Sequence, residues 1–409
     1  LKRSTGTDLM IEKEDSAMSA SVKTHGMDGT LEEPDWAPLS MPEIRRLLDR
    51  FPDCAHALSI ESRSPRPFSA AAVVVTEQGR VFIKRHDQSV RDREGLLEEH
   101  RFLQHLHNHD AQVPLVFSDA EGETAIENEG WTYEVHEVPT GLDLYGDALS
   151  WTPFRSKGHA YSAGRAMARV HRAANAFDAT PRKARPLVAS FTIFAWKNSD
   201  EALHRYLAGR TALSQHLAVK ECAHEALDLL EPFHAELLPL LPALPPLWTH
   251  NDLHASNLLW SGSGDDAHAT SVIDFGLCDR TNAVHDLAHA IERNIVEWLT
   301  LVKDPTHPEK VAVHLDHLRA LLDGYESVRR LSKDEAAALA PMVALCHTEF
   351  ALSEADYFLG VLGSEEKARM AYDGWLVGHA RWFHSNAGTQ LLDDLRTWAV
   401  DRSALKAER

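Results

Sequence analysis

The residue types best suited to chemistry stand in two short runs, His250-Asn251-Asp252-Leu253-His254-Ala255-Ser256-Asn257 and Ile273-Asp274-Phe275-Gly276. Phosphoryl transfer requires such a set. A triphosphate carries charge that a divalent cation must neutralise, and Mg2+ takes oxygen ligands. One carboxylate must orient the attacking hydroxyl and take its proton. A second must hold the metal, and an amide oxygen can complete the metal site without adding charge. The order His-x-Asp-x-x-x-x-Asn, apolar strand, Asp-Phe-Gly supplies these parts in sequence. The gap between Asp252 and Asp274 is short enough for two adjacent strand-loop units, so both carboxylates can face one cleft. A metal hydrolase built on His250, Asp252 and His254 would need further ligands at matching spacing.

Two segments upstream complete the set. In Val81-Phe82-Ile83-Lys84, strand alternation puts Phe82 and Lys84 on one face. Lys84 needs an acidic partner from the helix that follows, where Glu98 and Glu99 are candidates. In Trp131–Pro139 an extended backbone can present one C=O and, two residues on, one N–H, the pair that matches the Watson–Crick edge of adenine.

These runs resemble the catalytic and metal-binding loops of the aminoglycoside phosphotransferase and choline kinase family, relatives of the protein kinases. The resemblance extends from about residue 55 to 390. It implies an α+β, two-lobed protein-kinase-like fold, with a small antiparallel sheet plus one helix in the first lobe and a mostly helical second lobe. It also implies a small-molecule kinase that uses Mg2+ and ATP or GTP. Asp252 is then the catalytic base, and Asn257 and Asp274 ligate the metal. Lys84 contacts the α- and β-phosphates, with Glu99, three residues before Phe102-Leu103, as its partner. The C=O of His136 and the N–H of Val138 meet the nucleotide base. No Gly-x-Gly-x-x-Gly loop is present; Ser62 or Ser64 stands in that place to cap the β-phosphate. Where protein kinases carry Lys two residues after the catalytic Asp, this chain has His254.

The elements that must position these groups follow from pattern. Residues 1–40 mix Ser, Thr, Gly, Lys, Asp and Glu without periodicity, and a disordered tail is expected there. Order is expected from Met41, where Pro42 suits a first helical turn. A nucleotide-binding lobe over 41–138 would hold strands at Leu58–Arg63, Ala70–Thr76 and Val81–Arg85 and a helix over Arg93–His107. Further strands are expected at Val113–Ser118, Thr124–Ile126 and Trp131–Val138. Pro139-Thr140-Gly141 breaks the chain. Residues 139–400 would form a largely helical catalytic and substrate-binding lobe, and 401–409 a C-terminal tail. Ser332 and Glu335 form a capping box.

Composition narrows the classes. The 409 residues carry a formal net charge of −19, which repels nucleic acid and anionic membrane surfaces. No apolar run approaches the roughly 20 residues of a membrane span, and no apolar leader stands at the start. The four cysteines lack any Cys-x-x-Cys spacing, which suits buried thiols in the cytoplasm. The expected partners are a nucleoside triphosphate and a small hydroxylated molecule, with no nucleic acid and no membrane. A nucleotide-binding pseudokinase usually lacks the catalytic Asp, metal Asp or lysine, and all three are present. A protein kinase would need an Ala-Pro-Glu anchor, but Asp286-Leu287-Ala288 follows the metal loop too closely. The acceptor pocket is expected among Glu349, Glu354, Asp356, Tyr357, Asp373, His379 and Trp382, where carboxylates would favour an amine and aromatics such as Trp375 and Phe383 a flatter substrate.

Overall fold

The computed structural model describes residues 23–183 and 185–407. The β-branched and apolar run Ala70–Thr76 forms β4. It pairs antiparallel with β3 (Ala57–Arg63) and with β5 (Gly79–Asp87), which pairs in turn with β7 (Trp131–Glu137). β6 (Ile126–Asn128) closes the five-stranded sheet in the order β3-β4-β5-β7-β6. Period-2 alternation divides this sheet into two faces. Ala72, Val74, Val81, Ile83 and Val135 pack with Ile44, Leu47 and Leu48 of helix α1 (Met41–Leu48). Phe82, Lys84, Glu134 and His136 point the other way. Helix α2 (Arg93–Asn108), capped by Asp92, follows β5. The expected strand at Val113–Ser118 is only a bridge, Val116 opposite His136.

The rest of the chain is mostly helical. α3 (Lys157–Ala173) crosses α9 (Leu315–Glu326) at close range, because a Cβ on Gly164 or Gly324 would clash with backbone of the facing helix. Between them in sequence lie α4 (Ser199–Ala208), α5 (Thr211–Gln215) and α6 (Leu217–Leu237). Short strands β8 (Pro246–Thr249), β9 (Leu258–Trp260), β10 (Ala269–Val272) and β11 (Asp279–Asn282) pair as β8–β11 and β9–β10 and hold the two chemical runs in their loops. Then come α7 (Ala283–Ile295), α8 (Trp298–Lys303), α10 (Lys333–Leu345), α11 (His347–Gly360), α12 (Glu365–Arg369), a π-helical segment at Met370–Val377, α13 (Gly378–Trp382) and α14 (Asn386–Ala407). The Ser332–Glu335 capping box is present. The helical stretch Lys333–Gly360 is long and apolar enough to cross a membrane by length and composition, contrary to the expectation of no such run. Its most apolar window is 94% buried inside the molecule, which is the pattern of a core helix.

Both terminal expectations need correction. Residues 1–22 of the expected tail lie outside the described residues, but residues 23–40 are packed. Thr24–His25 (β1) and Leu31–Glu32 (β2) form a small hairpin. Asp35 accepts from Tyr357 and Lys367, Trp36 meets Trp131 edge-on at 5.5 Å, and Leu39 is buried. Periodicity misses such a segment because it is held by single side chains docking on distant elements. At the other end α14 runs on through the expected 401–409 tail to Ala407, and Arg402 donates to Glu326 at 2.8 Å.

Deleting residues 1–40 is therefore expected to destabilise the protein. Loss of the buried Leu39 and the half-buried Trp36 costs about 2–4 kcal/mol, which corresponds to a fall in Tm of about 2–5 °C for a chain of this length. A thermal melt of the truncated protein that matches the full chain would refute this docking.

Candidate active site

Asp252 sits in the loop between β8 and β9, and the loop is built to hold it. Asn251, just before it, adopts a left-handed backbone (φ 61), which a short polar side chain tolerates best after glycine. Its amide is locked by Thr249, Thr281 and the carbonyl of Ala189. Asp286 on α7 accepts from the backbone N–H of His250 at 3.0 Å and of Asn251 at 2.7 Å, and its own position is fixed by His171 at 2.9 Å. The cap of α7 is Asn282, so Asp286 is free to act as this brace. His250 spans the two runs, bonding the carbonyl of Ile273 at 2.9 Å while its ring lies against Phe275.

The Asp252 carboxylate meets Arg293 Nη1 at 2.9 Å and Asn257 Nδ2 at 3.3 Å. Burial pushes its pKa up, Arg293 and His250 oppose this, and Asp274 adds to the rise. His254 Nε2 lies 3.8 Å from Asp252. Burial, with Arg66 and Arg293 nearby, holds that imidazole well below its ordinary pKa. His254 is thus a neutral neighbour, unlike a lysine in the same place. The Asn257 amide nitrogen is directed at Asp252, also reaching its backbone oxygen at 2.9 Å, which leaves the amide oxygen for another partner.

Asp274 also takes a left-handed backbone (φ 59). Its Oδ1 receives Lys84 Nζ at 2.9 Å and the N–H of Gly276 at 3.4 Å. Burial would raise the Asp274 pKa, but Lys84 overrides it and holds the carboxyl well below the usual carboxylate range. Lys84 is likewise pulled down by burial and lifted above its ordinary value, first by Asp274, then by Glu134 and Glu99. The expected Lys84–Glu99 pair is therefore replaced by Lys84–Asp274. Glu99 is buried, but its charge is shared with the guanidinium groups of Arg91 and Arg182. Across the strand pair, Lys84 stands opposite Glu134. Glu134 binds His86 at 2.9 Å and His100 and His136 at 2.8 Å, and these partners hold its pKa well down despite burial.

Two nucleotide-side expectations, the His136 carbonyl and the Ser62 or Ser64 cap, fall differently. Val135 and Glu137 bond the 115–117 segment through Phe117 N–H and Leu115 C=O. Alternation along a strand then turns the His136 backbone toward Phe82 of β5, so its C=O is committed to the sheet and its ring to Glu134. Val138 follows immediately after β7, outside the ladder. Ser62 is exposed on β3, and Ser64 accepts from Arg66 N–H at 3.3 Å; neither lines the cleft. Arg66 does. It reaches over the cleft from the loop between β3 and β4, meeting His25 and Ser150 at 3.0 Å and the carbonyl of Ala148 at 3.2 Å.

Arg66, Lys84, Asp252, His254, Asp274 and Arg293 face one cavity of about 160 Å³. Glu354, Phe350, Trp151 and Trp375 line it as well. Among the carboxylates expected there, only Glu354 lines the cavity. Glu349 caps the backbone N–H of Thr192 and Ile193, Asp356 lies 3.8 Å from Arg210, and Asp373 is exposed. Tyr357 is tied to Asp35, and Trp382 and Phe383 are core.

A family model described as the phosphotransferase enzyme family matches residues 66–331. The chain belongs to that family. It is a small-molecule kinase by class. Among curated proteins, none matches the chain. Among solved structures, the microcompartment-associated aminopropanol kinase superposes with a TM-score of 0.54 at 20% identity, over 85% of this chain and 99% of its own. Amicoumacin kinase, solved with AMP-PNP, Ca2+ and its antibiotic, gives 0.51 at 12% identity, over 84% and 94%. An aminoglycoside phosphotransferase from Alicyclobacillus acidocaldarius gives 0.49 at 16%, over 90% and 98%.

Sequence reasoning missed three side chains of this phosphotransferase site, Arg293, Arg66 and Glu134, and did not single out Glu354 from the other expected carboxylates. Arg293 had one available signal. α7 begins at Ala283 just past the metal loop, and its last turn therefore returns beside the catalytic loop. The others are lone residues in ordinary-looking strand, loop or helix sequence, and only packing assigns them.

Proposed function

We propose that this phosphotransferase moves the γ-phosphoryl group of ATP or GTP onto a hydroxyl of a small molecule that also carries an amine. The observation that supports it most is the meeting of Asp252 and Asp274 on one cavity, with Asn257 Nδ2 3.3 Å from Asp252 and Lys84 2.9 Å from Asp274. In the reaction the hydroxyl oxygen bonds to the γ-phosphorus, the bond to the bridging β–γ oxygen breaks, and the nucleoside diphosphate leaves. Asp252 orients the hydroxyl and takes its proton, while Arg293 keeps the carboxylate ionised and aimed. Lys84 and Arg66 place positive charge against the phosphates. An oxygen-rich pair, the Asp274 carboxylate and the free amide oxygen of Asn257, suits Mg2+. When bound there, the ion would neutralise phosphate charge.

The amine is supported by Glu354. Its carboxyl is buried, one oxygen has no hydrogen-bond partner, and burial lifts its pKa to about 8. An ammonium group beside it would satisfy that oxygen, and the faces of Trp151 and Trp375 are near. A nucleotide-consumption screen with ATP and GTP tests this against amino alcohols, aminoglycosides and uncharged alcohols of similar size. Turnover is expected with an amine-bearing acceptor, with phosphate on its hydroxyl. Turnover confined to uncharged acceptors would exclude the amine, and no turnover with any hydroxyl acceptor would exclude the reaction.

The Glu354 environment also predicts a pH dependence of stability. An unfolded Glu loses its proton near about pH 4.3, but the folded group keeps it to about 8. Between these values the folded state binds more protons, so stability falls as pH rises. Glu354→Gln removes this contribution. Urea unfolding across that range is expected to show a shallower decline for the variant; an unchanged slope would refute the assignment.

A further inference from the structure

Next to Arg293 lies a second cluster of ionisable groups that the phosphoryl-transfer site does not use. Glu292 of α7, His347 at the start of α11 and His379 of α13 meet there, all buried. Glu292 Oε1 lies 3.5 Å from His347 Nδ1 and 3.4 Å from His379 Nδ1. None of these contacts is a hydrogen bond: both oxygens of Glu292 and both nitrogens of each imidazole lack a partner. Bulk water is shut out by rings. Trp298 stacks on His379 at 3.7 Å and Trp151 stands edge-on to His347 at 5.4 Å. Orphaned buried polar groups are costly, so a dry cluster of them needs a compensating partner.

We propose that Glu292, His347 and His379 bind a structural divalent transition-metal ion, with Zn2+ the best fit, separate from the nucleotide site. Zinc is held by imidazole nitrogen and carboxylate oxygen at about 2.0–2.2 Å, in tetrahedral geometry. That geometry places neighbouring donor atoms about 3.4 Å apart, the spacing seen from Glu292 Oε1 to each imidazole. One donor atom from each of the three residues falls within 4.8 Å of the others. Burial favours the neutral forms of both imidazoles and lifts Glu292 to about 7. The histidines are thereby ready as ligands, and Glu292 gives up its proton as the cation arrives. His289 and Cys346 form a second donor group with Glu292 and supply candidates for the fourth position. Mg2+ is a poor occupant, because it prefers an oxygen shell in octahedral geometry. Glu292 Oε2 lies 4.0 Å from Arg293 Nε, so the ion would clamp α7, α11 and α13 together next to the Asp252–Arg293 pair.

The test uses the full chain, purified from zinc-supplemented medium without a chelator. Elemental analysis is expected to find roughly one zinc per chain, removed by dipicolinate with a fall in Tm that ZnCl2 reverses and MgCl2 does not. Cobalt substitution is expected to give the intense visible bands of a tetrahedral Co2+ site. Glu292→Gln and the double variant His347→Gln/His379→Gln should lose the zinc. Wild-type protein that holds no zinc and gains no Tm from ZnCl2 would overturn the proposal, whatever the variants do. Zinc retained at full stoichiometry in a folded double variant would overturn it as well. None of these measurements depends on the acceptor or on turnover, so they stand apart from the kinase reading.

Discussion

Asp252→Asn is expected to lower kcat by at least about 10²-fold, the scale of a lost general base, while nucleotide affinity stays near the wild-type value. The asparagine fills the same volume and can still receive Arg293 and Asn257 through its amide oxygen, so the loop should hold its shape. What disappears is the negative charge that orients the acceptor hydroxyl and takes its proton. Burial raises the wild-type carboxyl, yet Arg293 at 2.9 Å works against neutralisation. Steady-state kinetics with the acceptor found in the screen, together with calorimetry of nucleotide binding, separate the two effects. Turnover at the wild-type rate would remove Asp252 from the chemistry.

Asp274→Ala is expected to abolish Mg2+-dependent nucleotide binding. Two contributions act together. The site loses its one anionic metal ligand, for which the neutral amide of Asn257 is no substitute. Lys84 also loses the partner that holds it 2.9 Å away and keeps its ammonium fixed at the cleft. Asn257→Ala should weaken metal use less, since it removes an oxygen without removing charge. Isothermal calorimetry with the nucleotide at fixed Mg2+ reads both variants. Undiminished binding by the Asp274 variant would place the metal elsewhere.

Local pattern carried a large part of the fold. The strand Ala70–Thr76 and the helix beginning at Arg93 were legible because one short stretch contains the whole signal: a period-2 valine run, or apolar residues at helical spacing after an Asp cap. The two chemical runs were legible for the same reason. Asp252 and Asn257 lie within one loop and its short 3-10 turn, and Asp274 opens the next loop, so their mutual position follows mainly from local chain geometry.

Partner choice was not legible. Lys84 was expected to pair with Glu99 on the following helix, and it pairs with Asp274, a residue distant in sequence. The strand alternation that put Phe82 and Lys84 on one face was correct. It gave no distance to either carboxylate, and Coulomb energy falls with distance, so the nearer group wins. The same limit applied to His136. Its extended conformation was readable, but which neighbour its carbonyl addresses depends on the pairing register with β5 and the 115–117 segment.

From its sequence alone, then, this protein declared the two carboxylates, Asp252 and Asp274, and the lysine, Lys84, that line one cavity, and the alternation of sheet and helix that carries them. Those features are written in residues a few positions apart. Tertiary structure alone decided that residues 23–40 dock, that Arg293 joins the loop's own Asn257 in steadying Asp252, that Arg66 overhangs the cleft, and that Glu354 is the one expected carboxylate to face it. Each of these depends on burial and on where one helix or loop lies against another, and burial depends on the packed whole. A carboxylate on a helix reads the same in sequence whether it faces water or a dry cavity, although the free-energy difference between the two is several kcal/mol.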